Sequence, residues 1–80
     1  MSRMGMIIKR ARTEMGLSQM DLAREMKLKS AQYISNVERG VSPLAPRWFD
    51  YISKRLAIPM NTLKRVYLDD RRRMLDQMTE

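Results

Sequence analysis

The stretch Ser18-Gln19-Met20-Asp21-Leu22-Ala23-Arg24-Glu25-Met26, followed after a short break by Ser30 through Gly40, decides the fold. Leu22, Ala23 and Met26 fall on one side of a helix at i, i+1 and i+4, and Ile34 and Val37 do the same for a second helix. Gln32, Tyr33, Ser35 and Asn36 are left facing outward from the second. Ser18 with Asp21 three residues later is a variant of the capping box, which gives the first of these helices a defined start. Ser30 is expected to cap the second, and Gly40 to end it in a left-handed turn, so that it covers about residues 30–39. Two helices this short cannot bury a core alone, so flanking helices must carry them. A helix that presents amide side chains on a basic chain has the chemistry to read base edges in a major groove.

Working outward, a first helix is expected from about Met4 to Met15, ended by Gly16. Met4, Ile7, Ile8, Ala11 and Met15 recur at helical spacing and form its inward stripe. Arg3, Lys9 and Arg10 read as a solvated face. On the far side, Val41-Ser42-Pro43-Leu44-Ala45-Pro46 is uncharged and proline-punctuated, hence a loop. Pro46 suits the first turn of a helix, where its missing amide costs nothing. That helix should run to about Leu56 with Phe49, Ile52 and Leu56 inward, and Trp48 packing between helices. Ala57-Ile58-Pro59 interrupts the pattern before a last helix of about residues 60–78, in which Leu63, Val66 and Tyr67 continue the inward stripe. Asp69 with Arg72 and Arg73, and Asp70 with Arg73, are opposite charges at i+3 and i+4 spacing that support continued helix.

Eighty residues make one small domain, near the size at which a single core is only marginally stabilising. The chain has no cysteine, so disulfides and thiolate metal sites are excluded, and no histidine, which removes the commonest proton shuttle. No cofactor, metal or small-molecule site is expected. Sixteen basic against nine acidic residues give a net charge of +7, and the excess is present in both halves of the chain. Basicity spread over a fold suits an anionic partner, nucleic acid before a membrane surface. No run of about 18 apolar residues exists, so a soluble, cytoplasmic protein is expected and no membrane contact.

Gly16-Leu17-Ser18-Gln19, Leu22-Ala23 and Ile34-Ser35-Asn36-Val37-Glu38-Arg39-Gly40 together resemble the phage-repressor type (Xre-type) of helix-turn-helix domain. The similarity extends from about Ile7 to Leu63. It implies an all-α, lambda-repressor-like fold: a compact bundle of about five helices containing a helix-turn-helix. Two departures stand out: Lys27 occupies the turn position where such domains usually have Gly, and Leu28 to Tyr33 is one residue longer than the commonest pattern. The resemblance also implies that Arg12 pairs with Glu38, holding the first helix against the recognition helix. It places Arg47 near the DNA backbone or minor groove, with an exposed Arg making no contact as the alternative.

The function that follows is sequence-specific DNA binding without enzymatic activity. Gln32 is the first candidate base reader, because glutamine matches the N6 and N7 groups of adenine; Asn36, one turn later, is the second. Tyr33 is a third, contacting a thymine methyl or the backbone, or else packing under the preceding helix. Backbone contacts are assigned to Gln19, Lys27, Lys29, Ser30, Ser35, Arg39 and Arg47. Gln19 opens a helix, where unpaired amides favour phosphate; Lys27 and Lys29 either touch phosphates or keep the turn solvated. Met74, Leu75 and Met78 lie beyond the residues that complete the core, which leaves a dimer contact or a fraying terminus. A homodimer on double-stranded DNA is the expected assembly, and a repressor the expected role. The competing class is a protein-interaction module of the same fold, an antitoxin or an adaptor; the nine methionines, most on inward stripes, favour it only weakly.

Overall fold

The computed structural model describes residues 2–78, with side chains through Asp76. Five α-helices follow in order: α1 Arg3–Glu14, α2 Gln19–Glu25, α3 Gln32–Glu38, α4 Phe49–Leu56 and α5 Met60–Met78. A 3-10 turn over Pro46–Trp48 leads into α4, so the helix expected from Pro46 starts in the tighter form and relaxes into α at Phe49. No strand is present among the described residues.

The local chemistry explains each boundary. Ser2 caps α1, its hydroxyl accepting from the Gly5 amide at 2.9 Å. Gly16 takes φ +72° just after α1 and lets the chain turn toward α2. Ser18 and Asp21 then form a reciprocal capping box, each side chain accepting from the other's amide at 2.9 Å. Lys27 closes α2 at φ +61°, so the turn keeps the left-handed backbone that glycine adopts most easily, with a lysine in it. Ser30 is not the cap residue of α3: that position falls to Ala31, and the Ser30 hydroxyl accepts from the Gln32 amide at 3.2 Å from one residue further out. The helix is accordingly shorter at its start than the expected 30–39 span. Gly40, at φ +78°, ends it.

One core joins the helices. Met4 and Ile8 of α1, Leu22 and Ala23 of α2, Ile34 and Val37 of α3, Ile52 and Leu56 of α4, and Leu63 and Val66 of α5 are all buried. Leu44, from the proline-punctuated loop, fills the space among them. Each fully buried aliphatic side chain contributes about 1.5–3 kcal/mol relative to exposure. Phe49 and Tyr67 meet edge-to-face with ring centroids 5.3 Å apart, and Trp48 does the same with Tyr51 at 6.0 Å. Gly5 is buried where α1 crosses α3. A Cβ there would lie 2.6 Å from the Val37 carbonyl oxygen, so the crossing distance requires glycine.

Two further expectations are corrected. The methionines are not mostly inward: Met4 and Met26 are buried, but Met6, Met15, Met20 and Met74 are exposed. Met15 lies at the end of its helix, and its sulfur accepts from Arg55 at 3.6 Å. Asp69 and Asp70 face α1 instead of the arginines further along α5. Asp69 pairs with Arg3 at 3.2 Å, and the Asp70 carboxylate accepts from the Arg3 and Met4 amides, both at 3.1 Å. The first amides of α1 have no partner within their own helix, and a carboxylate there also meets the positive end of its dipole. Those contacts latch α5 to α1 just before α5 leaves the core. Leu68, Met74 and Leu75 are exposed along that last stretch; the side chain of Met78 lies outside the described residues.

Candidate functional site

Two contacts fix α3 from behind, and a third fixes α2 beside it; together they set what α3 shows in front. The first is buried. The Arg12 guanidinium grips Glu38 with two hydrogen bonds, Nε to Oε2 at 2.6 Å and Nη2 to Oε1 at 3.0 Å, and its Nη1 donates to the Leu17 carbonyl at 2.6 Å. Gln19 completes the cluster by donating from Nε2 to Glu38 Oε1 at 2.9 Å. α1, the turn after it, α2 and α3 are thus tied at one buried charge pair with its hydrogen-bonding capacity used. The Gln19 side chain faces this cluster; its backbone amide stays at the start of α2.

The second contact is Tyr33, whose half-buried ring packs on the core and whose hydroxyl accepts from the Ala45 amide at 2.9 Å. It pins the Val41–Ala45 loop to α3, so its hydroxyl is committed to the fold. The third lies at the back of α2. Glu25 accepts from Arg55 Nε at 2.5 Å, from Arg55 Nη2 at 3.0 Å and from the Tyr51 hydroxyl at 2.9 Å, tying α2 to α4. The Arg55 hydrogen bonds, with the Tyr51 one, hold the Glu25 carboxyl below its usual range. Desolvation and the bond to Glu25 raise the Tyr51 phenol, and the same carboxylate raises Arg55. Asp21, capped by the Ser18 amide and hydroxyl, is also lowered.

What α3 presents outward is a row one turn apart. Gln32 Nε2 donates to Asn36 Oδ1 at 2.9 Å, and Arg39 Nη2 donates to the same oxygen at 2.8 Å. Gln32 and Arg39 are exposed, while Asn36 and Ser35 are half-buried. Around this row the turn carries Lys27, Lys29 and Ser30, all exposed, and the 3-10 turn before α4 carries exposed Arg47. Among the described residues, none of Lys27, Lys29, Arg39 and Arg47 takes part in an ion pair, so their charge is available to an anion. The expected base readers Gln32 and Asn36 are side by side; Tyr33 is turned away from them toward Ala45.

Residues that the sequence reading passed over are Gly5, Glu25, Tyr51 and Arg55, and Asp70 has another partner than the one expected. Each acts through a contact more than 25 positions away in the chain, and local spacing carries no sign of such a contact. Gly5 alone left a trace, as a glycine inside an otherwise regular helix. The described residues contain no cluster of three or more potential metal ligands, and no helix is long and apolar enough to cross a membrane.

A helix-turn-helix family model matches residues 8–61, which includes α2, the turn and α3 entire. No curated protein and no solved structure matches the chain.

Proposed function

The chain belongs to the Xre-type, lambda-repressor-like helix-turn-helix family, a DNA-binding class of transcription regulator, and from that premise we propose that it is a repressor acting as a two-fold dimer on a palindromic operator. The observation that carries the reading is the outward row Gln32–Asn36–Arg39 on α3, amide-bearing and flanked by unpaired cations. Lys27, Lys29, Arg39 and Arg47 would set register on phosphates, as would the backbone amide of Gln19 at the start of α2 and the hydroxyls of Ser30 and Ser35. Gln32 would read a base, with Asn36 beside it; Tyr33, committed to Ala45, would support them from behind. Repression needs only that the bound protein occupy its site.

The dimer has its own support. A recognition helix of seven residues covers only a few base pairs, and domains of this kind gain length by placing two such helices about 34 Å apart. α5 continues past Val66, the last core residue, and shows Leu68, Met74 and Leu75 to solvent. Beside Met74 and Leu75 is a groove of about 240 Å³ lined mainly by apolar groups, including Val41, Pro43, Leu44 and Tyr67. The latch of Asp69 and Asp70 on α1 fixes the direction in which this part of α5 leaves the core. The same groove supports an antitoxin or adaptor reading, in which it would hold a different protein.

Truncation after Arg71 tests the proposal. Mass by ultracentrifugation and titration of operator DNA should both show a weakened dimer. Unchanged mass and unchanged operator affinity would remove α5 from the interface. Binding that scarcely responds to salt would favour the protein-partner reading, since contacts to phosphate weaken steeply as salt rises.

A further inference from the structure

We propose that Arg39 sets the base preference of Gln32 without touching a base, by fixing the amide orientation of Asn36 and, through it, that of Gln32. The inference rests on the DNA-binding reading and adds a determinant of specificity to it. An amide side chain has an oxygen on one side and a nitrogen on the other, of nearly equal size. Alone, a Gln32–Asn36 pair can bond in two ways: Gln32 donates to Asn36, or both amides turn over and Asn36 donates to Gln32. The two states keep the same hydrogen bond and differ in what Gln32 shows to a groove.

Arg39 removes the degeneracy. A guanidinium has donors only, so the Asn36 atom 2.8 Å from its Nη2 is the oxygen. That same oxygen lies 2.9 Å from Gln32, which must therefore present its nitrogen there. Both lone pairs of Asn36 Oδ1 are then used. Gln32 is left with Oε1 and one N–H in fixed places, the acceptor and donor that match N6 and N7 of adenine. The Nδ2 group of Asn36 can only donate. Before thymine, whose O4 would face Gln32 Oε1, a free amide pair would turn over and donate. With Arg39 present, turning over sets two oxygens against each other and forfeits a bond, a discrimination of about fivefold or more.

The lock needs a donor with no acceptor. Arg39→Lys preserves that property; Arg39→Gln does not, since the new amide serves either orientation. Arg39 is exposed, and circular dichroism establishes that both variants keep the helical fold. Affinities are then measured by competition on duplexes varied one base pair at a time. Arg39→Lys should keep the preference of the unaltered protein. Arg39→Gln should relax it about fivefold or more at one base pair per half-site, the same pair that Gln32→Ala affects. In a Gln32→Ala background, Arg39→Gln should change no preference at the base pair that Gln32 reads. Uniform weakening of every duplex by Arg39→Gln with no relaxed preference at any base pair would overturn the proposal and leave Arg39 a phosphate contact alone. Relaxation at a different base pair would overturn it too, making Arg39 a direct reader, as would equal relaxation by Arg39→Lys. An unaltered protein with no base preference anywhere would instead refute the DNA-binding reading from which the inference starts.

Discussion

Replacing Glu38 by Gln keeps the shape of the side chain and removes one charge from the buried pair with Arg12. The Arg12 and Glu38 side chains are 8% and 2% exposed, so neither charge has water to fall back on. After Glu38→Gln, the guanidinium retains the Leu17 carbonyl but loses its counter-charge. After Arg12→Leu, the carboxylate retains only the Gln19 donor of the cluster. Stranding one member of a buried pair costs about 3–5 kcal/mol. A domain of this length has a total stability of about 4–12 kcal/mol, so either change alone takes a large share of it. The double variant Arg12→Leu/Glu38→Gln holds no stranded charge and should cost no more than the worse single change. The coupling is then about 3 kcal/mol. Urea unfolding followed by the fluorescence of Trp48, near 15 °C where stability is close to maximal, measures all four corners of the cycle. Costs that add to within about 0.5 kcal/mol would refute the reasoning and show two independent side chains.

Gly5→Ala should destabilise by about 1–3 kcal/mol despite the better helix propensity of alanine, because the atoms facing the new methyl are backbone of α3 and cannot swing away; thermal unfolding reads the shift. Lys27→Gly should stabilise by about 0.5–1 kcal/mol, since it relieves a left-handed lysine at φ +61°; a loss in denaturant midpoint would show that the lysine side chain holds the turn. Glu25 has a lowered pKa in the folded chain, so its contribution is fully present above its ordinary value of 4.5 and is lost as pH falls through the folded value. Glu25→Gln should therefore flatten the dependence of stability on pH below about 4.5, and an unchanged acid limb would contradict the assignment.

The parts of the fold legible in the sequence were those decided within a turn or two of helix. Ser18 and Asp21 form their box because both partners lie within one turn, and Leu22, Ala23, Ile34 and Val37 are inward because helical spacing alone aligns them. Gly16 and Gly40 are left-handed because glycine meets least resistance there. Ser30 shows the limit. Its hydroxyl does take a helix amide, but from one residue outside the cap.

Competition between local and distant partners hid the rest. Asp69 and Asp70 had arginines at ideal spacing on their own helix, each worth a few tenths of a kcal/mol. The amides at the start of α1 have no partner within their own helix and sit at the positive end of its dipole, and they took Asp70 instead. Gln19 reads locally as a phosphate contact, yet its side chain meets Glu38 across the fold. The outward row on α3 was visible as residue types, but the orientation of its amides was not, because that depends on a third side chain reaching Asn36.

The central claim is that Gln32 on α3 reads a base. The most direct test selects bound duplexes from a random pool, then titrates the unaltered protein and Gln32→Ala on the selected duplex and on a random one. Gln32→Ala should lose about 1–3 kcal/mol on the selected duplex and little on random DNA, with relaxed preference at one base pair per half-site. An equal loss on both duplexes would contradict the account and make Gln32 a residue that positions the helix without reading sequence.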